Sequence, residues 1–272
     1  MKIALAQLNS VNNIENNFSA IEKTIINFKK IQPVDRPRLV IFPENSLFFR
    51  IDENEKIQAL ECNSEVFQKL EKLSTELNIY FHLTTAMRDQ NKIWNASVLI
   101  SPNKKTEIIY KKIHLFDIAL DGQRPIRESD VFSHGEKAAV FEIDGIRFGS
   151  SICYDLRFSE LYSQYAKSEV HVILVPAAFL VKTGLAHWEV LLRARAIENQ
   201  AFVLAPAQVG KHHSTTSGQF RETFGHSIAV NPWGEVMAVK PDGVGLLSLD
   251  IDSDKCRQVR SQIPMRNHRR LF

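Results

Sequence analysis

Apolar positions along this chain fall into two rhythms that take turns. The opening KIALAQL is short and almost continuously apolar, the pattern of a buried strand. Ile14, Phe18, Ile21, Ile25 and Phe28 then recur at steps of four and three, which predicts a helix closed by Pro33 and Pro37. RLVIFPEN reads as an apolar strand that stops at a proline. Val66, Phe67, Leu70, Leu73 and Leu77 form the stripe of a second helix, with Asn63 or Ser64 as its cap. IYFHLTTAM, NASVLI and TEIIYKK read as strands, and AVFEIDGIRFGSSIC as two strands joined at Asp144-Gly145, a hairpin signal. FSELYSQYAK predicts a helix, VHVILVPAA a strand, AHWEVLLRARAIENQ a helix and AFVLAPAQVG a strand. HSIAVNPWGEVMAVK reads as a hairpin turning between Asn231 and Gly234. GVGLLSLDI is the last strand, and Asp252 or Ser253 caps a short final helix.

No linker rich in Pro, Gly or Ser and no repeat of fixed period divides these elements. Residues 1–272 therefore read as one α/β domain with helices covering the sheets. Basic and acidic residues number 34 and 31, a net charge of +3, too balanced to point to nucleic acid or a membrane surface as partner. The basic excess sits in KCRQVRSQIPMRNHRRLF, which carries no acid. That tail is either solvated or lies near an acidic substrate or a partner subunit. Cys62, Cys153 and Cys256 are odd in number and irregular in spacing, so neither a disulfide framework nor a zinc-binding pair is indicated. The N-terminal segment lacks a signal-peptide pattern. The longest apolar run, VHVILVPAAFLV, contains His171 and Pro176 and is too short to span a bilayer. A reducing, cytoplasmic setting is expected.

Phosphate-loop and dinucleotide fingerprints are absent, as is HExxH. His212-His213 has no carboxylate or cysteine at ligand spacing, so a polar loop is expected there and no metal site. Three segments place a reactive residue after a buried strand, where an α/β fold usually carries its chemistry. Glu44 in VIFPEN is a turn or capping carboxylate, or a base. Lys111 and Lys112 in IIYKKIHLFD are two solvated lysines, or a pair of which one points inward. Cys153 in GSSICYDLRF is an inert core residue or a nucleophile. Together they have complementary chemistry. A thiol attacks as thiolate and needs a base, which a buried glutamate can supply near neutral pH. A lysine ammonium can stabilise the thiolate and then an oxyanion.

FPEN with Glu44, YKKIHLFD with Lys112 and SSICYDLRF with Cys153 resemble the three signature segments of the nitrilase superfamily of carbon–nitrogen hydrolases. AHWEVLLRARAIENQAFVLAPAQVG and TFGHSIAVNPWGEV resemble the family's downstream helix, strand and hairpin, so the likeness runs through nearly the whole chain. It implies a four-layer α-β-β-α sandwich in a single domain. It also implies a hydrolase that needs no cofactor, with Glu44 as base, Lys112 and the Tyr154 N–H as oxyanion donors, and Cys153 as nucleophile. Glu128 in IRESDVF matches a second glutamate of many relatives, which orients the lysine and the substrate amide; Glu136 lies in what reads as an exposed turn. A homodimer is implied too, packed through FSELYSQYAK and AHWEVLLRARAIENQ. The latter is apolar almost all round, as a helix buried between subunits would be.

HWEVLLRARAIENQ and NHRRLF look most like the deaminated glutathione amidase branch. That branch cleaves an α-keto form of glutathione to 2-oxoglutarate and cysteinylglycine. The sister activity is that of ω-amidase on 2-oxoglutaramate; another small aliphatic amide or carbamoyl substrate, or a silent protein-binding member, are the remaining alternatives. An α-keto acid substrate calls for an arginine to hold its carboxylate. Arg157 is the candidate, the other reading being an ion pair with Asp155 or Glu160. Tyr154, Phe179 and Thr183 are expected to border the pocket. Ser159 replaces a proline common among relatives, and the loop 208–223 looks longer than a compact family version.

Overall fold

The computed structural model describes residues 1–119 and 125–270. Two six-stranded sheets form its centre. In the first, the strands Gly245–Asp250, Lys2–Gln7, Leu39–Ile41, Tyr80–Asp89, Lys92–Ile100 and Glu107–Lys111 lie side by side in that order. In the second the order is Val236–Lys240, Ser227–Val230, Phe202–Ala205, Val172–Leu174, Ile146–Ser150 and Ala139–Ile143. The middle strands of each sheet are parallel and the margins antiparallel. Parallel neighbours need a crossover, and each crossover carries a helix. In the first sheet these are α1 (Ile14–Ile26) and α2 (Glu65–Leu77). In the second they are α3 (Ser159–Lys167) and α4 (Val181–Asn199).

The continuous apolar strands are explained by burial on both faces. Along Lys2–Gln7, Ile3 and Leu5 turn to one side and Ala4 and Ala6 to the other. Ile3, Leu5, Leu39 and Ile41 meet Phe148, Val172, Leu174, Phe202 and Leu204 of the other sheet in one cluster, the layer between the sheets. The alternate residues Ala4, Ala6 and Val40 pack with Ile21, Ile25, Phe67 and Leu70 of α1 and α2. Ile173 and Val203 pack with Tyr162, Tyr165, Trp188 and Leu192 of α3 and α4. The result is the α-β-β-α sandwich.

Several expectations are corrected. Ser64 does precede α2, but its hydroxyl donates to the Glu61 carbonyl and makes no capping bond to the helix. The helix α4 starts at Val181, earlier than the apolar pattern suggested. Its buried stripe is narrow, Gly184, Trp188, Leu192, Arg195, Ala196 and Asn199, so within one chain it is far from buried all round. Two helices end the chain, α5 (Asp254–Gln262) and α6 (Met265–His268). The Asp252 carboxylate accepts the Asp254 N–H at 3.0 Å and so caps α5. Much of the basic tail is exposed, as a solvated tail would be, but it is anchored to the chain at three points. Arg260 donates to the carbonyl of Val170 at 2.6 Å, Arg266 pairs with Glu169 at 2.6 Å, and Arg269 donates to the carbonyl of Glu198 at 2.6 Å. The last two tail residues, 271–272, lie outside the described residues.

The segment 208–223 is also not an irregular loop. Val209–His213 and Phe220–Phe224 pair as an antiparallel hairpin. Successive strand residues face opposite ways, so the two adjacent histidines diverge. His212 is buried between the Ser10 carbonyl and the Thr223 hydroxyl, each 2.7 Å away, and burial pulls its pKa down to about 4; His213 is exposed. Asn12 accepts the Thr215 N–H at 2.7 Å, and Glu55 accepts the Ser214 hydroxyl at 2.9 Å, which pins the hairpin's turn to the first half of the chain. Gly184 of α4 lies against Phe224 of this hairpin so closely that a Cβ would overlap its ring. The helix and the hairpin can pack only through a glycine here.

Candidate active site

Three strand ends converge at one place. Glu44 follows Leu39–Ile41, Lys112 follows Glu107–Lys111, and Cys153 follows Ile146–Ser150. All three side chains are buried. Alternation along the strand decides between the two lysines. Lys111 faces out, 2.7 Å from Asp89 and over the Trp94 ring. Lys112 faces in, with its ammonium 2.8 Å from Glu44 and 2.8 Å from Glu128. The Asn95 amide donates to both carboxylates, at 2.8 Å to Glu44 and 2.7 Å to Glu128, and the Phe116 N–H gives Glu128 a further bond at 2.7 Å.

One ammonium therefore sits between two carboxylates in a buried site. Burial alone would depress the Lys112 pKa, but Glu128 and Glu44 outweigh it and hold the group well above its usual range. Lys112 is a fixed positive charge. Cys153 is pushed the other way: burial and then the Glu44 carboxylate, partly offset by Lys112 and the Ala178 N–H, keep its pKa well above that of a free thiol. The thiol thus lies beside the Glu44 carboxylate, which raises its pKa, and the Lys112 ammonium, which lowers it. A thiol with a carboxylate and a fixed ammonium beside it has the chemistry that a nucleophile and its base require.

Cys153 also has φ 47°, in the left-handed region that non-glycine residues rarely occupy. It opens a short 3-10 turn, Cys153–Arg157, directly beyond its strand. Such a sharp strand-to-helix turn lifts a side chain out of the sheet and into a cavity, at a backbone cost that the surroundings must offset. Asp155 supplies much of that support. Fully buried, it accepts hydrogen bonds from the Ile152 N–H at 2.9 Å, the Tyr110 hydroxyl at 2.7 Å and the His114 N–H at 3.0 Å, with His114 Nδ1 at 2.8 Å. It thereby ties the cysteine turn to the segments on both sides of Lys112.

The cavity over Cys153 is lined by Glu44, Lys112 and Glu128, by the apolar Phe48, Phe49, Phe116, Phe132 and Leu180, and by Arg50 and Arg221. The four expected binding residues stand elsewhere. Arg157 pairs with neither Asp155 nor Glu160; its Nη1 is 3.1 Å from His187 Nδ1, and its guanidinium lies over the rings of Tyr154 and Phe179. The Tyr154 ring packs on Phe116, and the Thr183 hydroxyl donates to the Leu180 carbonyl at 3.2 Å. None of Tyr154, Arg157, Phe179 and Thr183 lines the cavity. The pattern reading overlooked Asn95, Asp155, Arg50 and Arg221. For Asn95 a signal existed, an amide inside an otherwise apolar strand. Arg50 and Arg221 lie in no motif, so nothing in the sequence singles them out.

The carbon–nitrogen hydrolase family model matches residues 2–261. The chain belongs to the carbon–nitrogen hydrolase family. Among relatives of this carbon–nitrogen hydrolase, a deaminated glutathione amidase of Dictyostelium discoideum is 34% identical, covering 99% of this chain and 94% of that protein. One from Yersinia enterocolitica is 35% identical, covering 99% and 93%. The crystal structure of the NitFhit protein of Caenorhabditis elegans superposes with a TM-score of 0.86 at 34% identity, covering 99% of this chain and 65% of that one. This chain thus spans about two thirds of the NitFhit chain. The nitrilase-type sandwich and carbon–nitrogen bond hydrolysis follow for this chain. Among the described residues no cluster of three or more His, Cys, Asp or Glu is placed to hold a metal ion.

Proposed function

We propose that this hydrolase is a cysteine amidase acting on a small α-keto acid amide, deaminated glutathione first, which it cleaves to 2-oxoglutarate and cysteinylglycine. The observation that carries the reading is the buried contact of Lys112 with Glu44 and Glu128 beside Cys153. The relatives' names support the choice of substrate.

The chemistry follows from the charges. Glu44 takes the thiol proton as Sγ attacks the amide carbon. Negative charge develops on the carbonyl oxygen, where the Lys112 ammonium and the Tyr154 backbone N–H stabilise it. Glu128 and Asn95 keep Lys112 aimed. The C–N bond breaks, the amine leaves with the proton from Glu44, and a thioester remains on Cys153. Glu44 then deprotonates a water that attacks the thioester; the acid departs and the thiol regains its proton. The net reaction consumes one water and gives one acid and one amine. Free cysteines suit a cytoplasmic enzyme, and among the described residues no helix is long and apolar enough to cross a membrane. A homodimer is part of the same proposal.

Steady-state rates on deaminated glutathione and on 2-oxoglutaramate test it. The expected result is a higher kcat/KM for deaminated glutathione, abolished in Cys153→Ala, with an acyl adduct on the Cys153 peptide in quenched samples. The reverse preference would make the enzyme an ω-amidase. Turnover of neither would overturn the substrate assignment, and no adduct with any amide would overturn the catalytic one.

A further inference from the structure

Two arginines line the cavity that holds Cys153, and one carboxylate holds both. Arg50 Nη2 is 2.6 Å from Glu53 Oε2, and Arg221 Nη2 bonds the other oxygen of the same carboxylate. All three are largely covered, with side-chain exposures of 11%, 19% and 29%. Two guanidiniums on one carboxylate leave a net positive charge and unused N–H donors at a partly dry rim, the setting in which Arg binds carboxylates best.

The rim has a direction. Arg221, Leu180 and Ile126 line both the inner cavity and an outer depression that also involves Lys182. That depression carries the acids Asp52 and Glu222 as well, so its cationic part is the inner end, where two guanidiniums share the one Glu53 carboxylate. Arg221 therefore stands where a substrate passes from the reacting centre toward solvent. It is carried by the hairpin strand Phe220–Phe224, whose turn is pinned to Asn12 and Glu55. The rim is thus built on a fixed element, as a specificity determinant needs to be.

We infer that Arg50 and Arg221, clamped on Glu53, bind a carboxylate on the leaving amine and select amides whose leaving group is an acidic peptide. This rests on the amidase reading above. Deaminated glutathione has such a carboxylate, on the glycine that departs; 2-oxoglutaramate, which releases ammonia, has none. The rim accounts for a preference between two substrates that share the same acyl half.

The experiment is a two-by-two comparison. Wild type and Arg221→Gln are each assayed on deaminated glutathione and on the same compound with its terminal carboxylate converted to a carboxamide, with 2-oxoglutaramate as reference. Losing a charge-assisted contact costs about tenfold to a hundredfold in kcat/KM. The expected result is that loss for Arg221→Gln on deaminated glutathione, a similar loss for wild type on the carboxamide, and little further loss when both changes are combined. The loss on 2-oxoglutaramate is several-fold smaller, and Arg50→Gln shows the same pattern. Because the carboxamide arm probes the unaltered protein, a poorly folded variant does not spoil the test. Equal losses on all three substrates, or a wild-type enzyme indifferent to the carboxamide, would overturn the inference and leave the amidase reading intact. A wild type that hydrolyses neither keto acid amide overturns both.

Discussion

At Cys153 the structure reverses a simple expectation about reactive thiols. Reactive cysteines are usually those with a lowered pKa. Burial pushes all three thiols of this chain up: Cys62, Cys256 to about 11, and Cys153 well above its usual range. What separates Cys153 is its partner. Glu44 raises the thiol pKa through its charge, and in the proposed mechanism it is also the base that takes the proton. Those two effects separate in Glu44→Gln. Removing the carboxylate while Lys112 stays charged makes the thiol more acidic, so its thiolate absorbance appears at lower pH than in wild type. Activity nevertheless falls about 100-fold to 10,000-fold, the usual worth of a general base. A variant with an unchanged thiol titration, or one that keeps wild-type activity, would remove Glu44 from this role. Sequence could nominate Cys153 only in company with Glu44 and Lys112. Its left-handed φ and its raised pKa depend on neighbours distant in the chain, and no local pattern carries them.

At the scale of elements, legibility tracked how local the determining physics is. The hairpin at Asp144-Gly145 was readable because both residues take positive φ, 49° and 78°, which that pair tolerates. The hairpin Val209–His213 with Phe220–Phe224 was not readable. Its strands are polar and exposed along much of their length, and side-chain bonds to Asn12 and Glu55 position its turn. Asp155 was likewise given no role, because its partners come from elements on either side of Lys112 and from the turn beside it. Asp155→Asn keeps the shape but puts an amide donor either where the Ile152 N–H and the Tyr110 hydroxyl already donate or where the His114 N–H does. The expected cost is about 3 kcal/mol, seen as a drop of about 6–12 °C in melting temperature. Because the turn that carries Cys153 loosens with it, kcat falls as well. A variant as stable as wild type would show that another group supports the turn.

For the whole molecule, continuous apolar strands interleaved with helices were enough to predict sheets covered by helices, whereas the four-layer order came from the resemblance. The exposed faces are harder still, because nothing in a single chain says what covers them. Within one chain α4 leaves Leu185, Val190 and Ile197 exposed by 74%, 61% and 47%. These three and Val239 line one shallow depression, and Trp233 is 51% exposed on the turn whose Gly234 abuts Ile197. The outward side chains of α3, Ser159, Glu160, Gln164 and Lys167, are polar, so the apolar surface belongs to α4 and the neighbouring hairpin. The proposed homodimer would cover a patch of that kind. A second copy suits it: α4 also carries the exposed pair Glu189 and Arg193, 3.4 Å apart, and a two-fold axis through the helix would set such groups against their opposites. In sedimentation equilibrium at micromolar concentration the chain should therefore have twice its 31.1 kDa mass. Leu185→Glu with Val190→Glu should return it to the single-chain mass, since two buried carboxylates without partners cost more than the contact supplies. A wild type that sediments as a monomer would overturn the dimer, and a double variant that stays dimeric would move the interface to another face.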